Sequence, residues 1–454
     1  MKRIISLSLT VIFMTLFFTA CDEMNRGKDE DAPKRSYLAY HEILTKSATE
    51  QLSYGITPSD VEDFLAYRMS ILQEEIDKIT LFDIDEDASI YVVNLKKGGW
   101  FIFSGDYSTT PLLARCETGS LDFSGKQSKY VKGWLQSIRN LIVENRDSES
   151  EEVRQNRSVW TMTRLKAVNE KRKQGVRGGE EPDTTEVEID YYLDTIYYNY
   201  HAPLTETNWH QEWPFNTALP KESNNKRCSA GCTVAALAQL LYYTHFAFGF
   251  PNDTFEQASC DQLYNASGTP PYNYVFTSFS TTCWNQMETG MFPIDGSQEA
   301  ALYALVAKFT GTNYVWDSDE GHAVGETSPD SIAGAMNHFL LLNTAKQSFY
   351  GPSVLNELDN SRPIMTSGLP SSSSLLGHSY LIDGCDWFDG CDREVISDTN
   401  GHILEVNYAY WSDHRLHVNT GLLVPDESIY LHMWIYPEAF FAYNRKIYIG
   451  WQQL

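Results

Sequence analysis

Cations are scarce in this 454-residue chain, which carries 35 Lys and Arg against 60 Asp and Glu for a formal charge of -25 at pH 7. Binding a polyanion needs clustered cations that displace counterions. The one basic run, Lys171-Arg172-Lys173, is short, so nucleic acid is not an expected partner and the acidic balance reads as a solvated surface. C-x2-C and H-E-x-x-H spacings are absent. Cys228-x3-Cys232 and Cys385-x5-Cys391 are poor zinc frames in an exported chain, where cysteines more often bridge, so no metal and no cofactor is expected. Beyond the N-terminus no stretch approaches ~20 consecutive apolar residues, and there is no internal repeat of solenoid type. What is present, 42% hydrophobic and 13% aromatic residues, is the composition of a folded protein with room for two or three domains.

The N-terminus reads as an export signal: Lys2 and Arg3, an apolar run from Ile4 to Phe18, then Thr19 and Ala20 before Cys21. Phe18-Thr19-Ala20-Cys21 resembles the bacterial lipobox. That likeness implies cleavage before Cys21, its lipidation, and a home in the bacterial cell envelope, anchored at the outer membrane or cell surface or secreted. Residues 22–36 read as a polar tether. Seven cysteines follow, an odd number that leaves one thiol unpaired if the others bridge.

From residue 37 to 143 the pattern is that of a small α+β domain, with helices near Pro58–Lys78 and Ser128–Val143 and strands at Ser89–Leu95 and Trp100–Ser104. Residues 144–188 are dense in Glu, Arg, Lys, Ser and Gly. They are expected to be a linker, at least in the second half, open to proteolytic processing. The second domain, 189–454, is aromatic-rich, with strands at His378–Asp383, His402–Trp411, Arg415–Val418, Leu431–Ile435 and Lys446–Trp451. Ser371–Ser374 reads as a surface loop.

Chemistry concentrates at Gly231-Cys232-Thr-Val-Ala-Ala-Leu-Ala-Gln239, where a polar loop gives way to helix-favouring residues. A thiol at a helix start meets the positive end of the dipole and unpaired N–H groups, which lower its pKa toward a usable thiolate. A buried structural cysteine is the bland alternative. A thiol nucleophile also needs a base and a group to orient that base. His378 in Gly377-His378-Ser-Tyr-Leu-Ile-Asp-Gly384 opens a strand and can serve as the base, with Asn419 in His417-Val418-Asn419 as orienter and Asn407 as a weaker rival.

These two blocks, in this order, resemble the signature segments of the streptopain family of papain-like cysteine proteases. Trp209-His-Gln211-Glu-Trp-Pro-Phe-Asn216 is similar to the block before that family's nucleophile, and Arg362-Pro-Ile-Met-Thr-Ser-Gly368 to the strand before its histidine. Tyr91-Val-Val-Asn94 and Gly99-Trp-Phe-Ile-Phe-Ser-Gly-Asp106 resemble its inhibitory propeptide. The resemblance implies a papain-like α+β fold, with the Cys on a helical part and the His on an antiparallel sheet, behind a propeptide that inhibits the enzyme within its own chain. It also implies a cysteine endopeptidase made as a zymogen, acting on protein or peptide substrates. Cys232, His378 and Asn419 would be its catalytic residues, with Gln211 as oxyanion donor. The family's Trp after the orienting Asn is Thr420 here, and residues 386–413 look like an inserted hairpin. A degenerate papain-like surface lipoprotein that binds without cleaving is the alternative reading.

Overall fold

The structure is a computed structural model that describes residues 55–451 other than 126, 174–186, 250–254, 264–273, 280, 319–320, 340–342, 375–376, 399 and 423–431. The signal segment, Cys21, the tether and the second half of the expected linker lie outside the described residues.

The N-terminal domain is a four-stranded antiparallel meander, β1 (Ile76–Asp83), β2 (Ser89–Leu95), β3 (Trp100–Ser104) and β4 (Leu112–Cys116), with helices on both faces. Strand alternation explains the sandwich. Tyr91 and Val93 turn toward α1 (Pro58–Met69) and α3 (Glu151–Lys173), where Phe64 and Trp160 pack. Ile90 and Val92 turn toward α2 (Lys129–Arg146), whose buried Val131, Trp134, Leu135, Ile138 and Ile142 recur at helical spacing. α1 is shorter than expected because Ser70 adopts a left-handed conformation (φ 56°) and caps the helix. The first half of the expected linker is α3, a correction with a plain cause. Val153, Asn156, Trp160, Thr163 and Ala167, three or four residues apart, form a buried stripe that the surrounding charges hide from a reading of composition.

The C-terminal domain is built on α4 (Cys232–Phe248) and the strands β11 (Ile364–Leu369), β12 (His378–Asp398), β13 (Ile403–Asn419), β14 (His432–Ile435) and β15 (Tyr443–Ile449). The helix is apolar nearly all round and sits between the sheet and α6 (Ser297–Thr310). β14 also pairs with β4, through Trp434–Arg115 and Ile435–Ala114, so one antiparallel sheet runs through both domains. This is a papain-like α+β domain, helix carrying Cys232 and sheet carrying His378, behind a small α+β unit. Residues 386–413 form a hairpin, as expected: β12 and β13 continue past Asp386 and Arg415, flanked by the edge strand β5 (Val187–His201).

That three-stranded ribbon holds the N-terminal domain at a second place. Arg68 of α1 reaches Asp392 at 2.5 Å, donates to Thr163 Oγ1 at 2.7 Å and lies 5.0 Å over the Trp411 ring, with both charged side chains nearly buried. Removing one member of a buried pair strands the other charge. In the Cys232→Ala background, Arg68→Ala is expected to lower unfolding stability in urea by about 3 kcal/mol, and Arg68→Ala/Asp392→Asn to recover part of it. An unchanged midpoint in the single variant would refute this role.

Candidate active site

Cys232 is the first residue of α4, after the N-cap Gly231. Gly231 has φ +84°, and a Cβ on it would come within 2.1 Å of the Gly325 carbonyl, so only glycine allows the helix start to approach this neighbouring strand. Across the cleft, the Ser379 N–H donates to Cys232 Sγ at 3.3 Å and Thr233 Oγ1 donates to Ser379 Oγ at 2.9 Å. These contacts join the helix start to the start of β12, one residue from His378. Cys232 and His378 therefore line one cleft, together with Gly368, Thr327 and Ser371–Ser374, the last read from sequence only as a surface loop.

The His378 ring, however, is turned to the other face of the sheet. It is buried among Tyr130 (centroids 5.1 Å apart), Phe441 (5.2 Å), Tyr380 (5.9 Å) and Phe440 (6.1 Å). Among the described residues neither ring nitrogen makes a well-aligned hydrogen bond, and the Thr420 carbonyl is the backbone group that faces it. Tyr130 belongs to α2, so the N-terminal domain supplies the ring that covers the histidine. The same helix crosses the cleft with Asn140 Nδ2 donating to the Pro370 carbonyl at 3.1 Å and Ser137 Oγ accepting from the Phe441 N–H at 3.1 Å. Lys129, beside Tyr130, pairs with Asp317 at 2.8 Å.

The expected contact between Asn419 and His378 is not made in this arrangement, and strand geometry explains why. Asn419 faces Leu381 across the β12–β13 ladder, an odd number of residues from His378, so the two side chains leave on opposite faces. Asn419 Nδ2 donates to the Thr207 carbonyl and to Gln239 Oε1, each at 2.8 Å, while its Oδ1 accepts from the Gly421 N–H at 3.3 Å. It thereby braces the Thr420–Gly421 turn beside His378. Gln211 is buried at the same place: Nε2 donates to the Gly421 carbonyl at 3.4 Å, and Tyr130 Oη donates to its Oε1 at 3.4 Å. Asn407, the rival orienter, lies in the ribbon on Glu394 at 3.0 Å.

Among the described residues one group, Asp383, His417 and His432, brings possible ligand atoms within 4.8 Å of each other. Those groups are already engaged. Asp383 Oδ1 bonds His417 Nδ1 at 2.6 Å, Oδ2 accepts the Thr205 N–H at 3.0 Å, and His432 Nε2 lies 3.0 Å from the Thr207 carbonyl. The cluster is a hydrogen-bonded brace behind Asn419. Cys116, Cys228, Cys232, Cys260, Cys283, Cys385 and Cys391 are all unbridged thiols.

Electrostatics keep the pair discharged. Burial pushes His378 down to about 3, against the Thr420 carbonyl. Burial likewise raises the Cys232 thiol, outweighing the Ser379 N–H, the charge of Lys129 and the Thr233 backbone. The lowering expected for a thiol at a helix start is outweighed here by the burial of the thiol.

A cysteine endopeptidase held under an inhibitory N-terminal domain is the class that this fold and cleft define, and comparison with known proteins gives the family. Residues 209–422 match the Peptidase C10 family and residues 44–142 match the Spi protease inhibitor family, so the chain carries a C10 peptidase domain behind a Spi propeptide domain. It is 21% identical over 334 residues to streptopain of Streptococcus pyogenes, covering 69% of this chain and 72% of that protein; streptopain of serotype M1 matches over the same span at the same identity. A solved fragment of Prevotella intermedia prointerpain A superposes with a TM-score of 0.49 at 16% identity, covering 83% of this chain and all of the fragment. Sequence reasoning missed Tyr130, Thr233 and Gln239. Nothing in α2 marks Tyr130 apart from its neighbours, and its role exists only once the two domains meet.

The sign of the pH response follows from the two shifts. His378 titrates lower when covered than its ordinary 6.5, so the covered state is at full strength above about 6.5 and weakens as pH falls below it. Cys232 titrates higher than its ordinary 9.0, so the covered state weakens as pH rises through 9. The protein is expected to resist limited proteolysis best between those values. In Cys232→Ala the alkaline limb should shrink. His378→Asn in that background should flatten the acid limb without removing it, since burial also lowers His210, to about 4, and His432. Loss of resistance with the same profile in all three proteins would refute the assignment.

Proposed function

We propose that this cysteine endopeptidase is exported, anchored to the bacterial envelope through a lipidated Cys21, and cleaves peptide bonds with Cys232 as nucleophile and His378 as general base. The observation that carries the reading is that Cys232 and His378 line one cleft, with the Ser379 N–H, next to the histidine, donating to Cys232 Sγ at 3.3 Å. When α2 leaves the cleft, the ring loses the cover of Tyr130 and becomes open to water and to the cleft that Cys232 lines. Asn419 can then steady it through the Thr420–Gly421 turn that it braces. Outside the apolar pocket the imidazole regains its basicity and takes the thiol proton. The thiolate attacks the carbonyl carbon of the scissile peptide bond. The resulting oxyanion accepts hydrogen bonds from the Cys232 N–H and from Gln211 Nε2, a contribution of about 3 kcal/mol for a well-placed donor. The imidazolium returns its proton to the leaving amine, and water, deprotonated by the same imidazole, hydrolyses the thioester and regenerates the thiol.

Latency in this reading has two anchors, Tyr130 over His378 and Arg68 on the ribbon. Cleavage in the polar stretch 174–186 removes the tether that keeps both at high effective concentration. Protein substrates and the chain's own propeptide are the partners implied.

Iodoacetamide should label Cys232 slowly in the intact chain and at least 10-fold faster in Tyr130→Ala, since uncovering the pair removes more than about 1.4 kcal/mol of protection. Conversion to a shorter form should be absent in Cys232→Ala. Fatty-acid incorporation in an exporting bacterial host should vanish in Cys21→Ala. A Cys232→Ala protein that still processes itself would overturn the catalytic assignment.

A further inference from the structure

A second polar cluster lies beneath the cleft and takes no part in the chemistry described so far. Glu212, next to Gln211, has its carboxylate 3.4 Å from His322 Nε2 on β9 (His322–Glu326), and it accepts a hydrogen bond from the Ser229 side chain. On the far side of the ring, Lys226 Nζ lies 3.3 Å from His322 Nδ1. An ammonium only donates, so Nδ1 is the acceptor and Nε2 carries the ring proton, 3.4 Å from the Glu212 carboxylate. Burial works to raise the Glu212 carboxyl, but His322, Ser229 and the charge of Lys226 outweigh it and hold the group ionised.

What this cluster joins gives it meaning. The Gln211 carbonyl accepts the Ala230 N–H at 2.9 Å, two residues before Cys232. The Ser229 N–H donates to the Ala323 carbonyl at 2.8 Å, and the Gly325 N–H to the Ser229 carbonyl at 2.9 Å. Three separate segments, carrying Gln211, the approach to Cys232, and β9, therefore meet at Glu212. We propose that Glu212 is a positioning residue for oxyanion stabilisation, its carboxylate locking the Gln211 amide in register with the Cys232 N–H across the Ser229–Gly231 turn. The proposal rests on the catalytic reading above. Glu212 itself touches no reacting atom; it acts through Gln211.

Alkylation of a thiol by iodoacetamide builds no oxyanion, whereas peptide hydrolysis does, and this difference supplies the test. Full-length protein is matured, and kcat and KM on a fluorogenic peptide amide are measured beside the second-order rate of Cys232 alkylation. For Glu212→Ala the expected result is a 10- to 100-fold fall in kcat, part of the loss that follows removal of an oxyanion donor. KM and the alkylation rate should stay within about twofold of the unmodified protein. Glu212→Gln, whose Oε1 still accepts from Ser229, should recover most of kcat. If alkylation falls in step with kcat, or if kcat does not change, the positioning role is overturned. If the unmodified protein is active yet Cys232 is never alkylated, the catalytic reading fails first and takes this proposal with it.

Discussion

The contact on which the rest of the structure depends is the seating of α2 across the cleft, with the Tyr130 ring on the His378 ring. It acts at two places at once. It holds the histidine on the apolar face of the sheet, where Phe440, Phe441 and Tyr380 complete the pocket, and it forms one wall of the cleft that Cys232 lines. A neutral imidazole tolerates such a pocket far better than a charged one. Cys232 stays a thiol for the same reason on the opposite face. Burial thus works against charge on both groups.

A single helix tip would be a weak lock if the domain behind it could rock. The β4–β14 pairing prevents this by continuing the peptidase sheet into the N-terminal one, with two residue pairs that align the domains edge to edge. The ribbon of β5, β12 and β13 adds a distant point of attachment, where Arg68 ties α1 and α3 to Asp392. The Asn169 side chain of α3 also donates to the Ile189 carbonyl of β5 at 2.9 Å. β5 begins directly after the stretch 174–186, so the strand that receives this clamp is also the one next to the proposed processing segment.

Much of the architecture was legible from local pattern. The strands Ser89–Leu95 and Trp100–Ser104 run to the residues expected, because alternation and Gly98-Gly99 bound them clearly. The start of α4 at Cys232 follows from Gly231 and the Ala-rich run after it. The misreading of Glu151–Lys173 as linker came from weighing charge above the spacing of Val153, Trp160 and Ala167. The broken strands expected at His402–Trp411 and Arg415–Val418 are one strand, since pairing with β12 carries the ladder through the polar residues between them.

What the sequence determined by itself is the inventory and its order: a thiol at a helix start, a histidine at a strand start, an amide between Trp209 and Pro214, and an inhibitory domain ahead of them all. Helix propensity, strand alternation and turn residues act over a few positions, so a linear reading reaches them. Tertiary structure alone decided which way His378 points, that Asn419 holds a turn and not the ring, and that Tyr130 is the residue that covers the histidine. Each of these depends on which face of a strand meets which neighbour from a distant part of the chain. Burial on those faces sets the charge states of Cys232 and His378, and no local pattern encodes it.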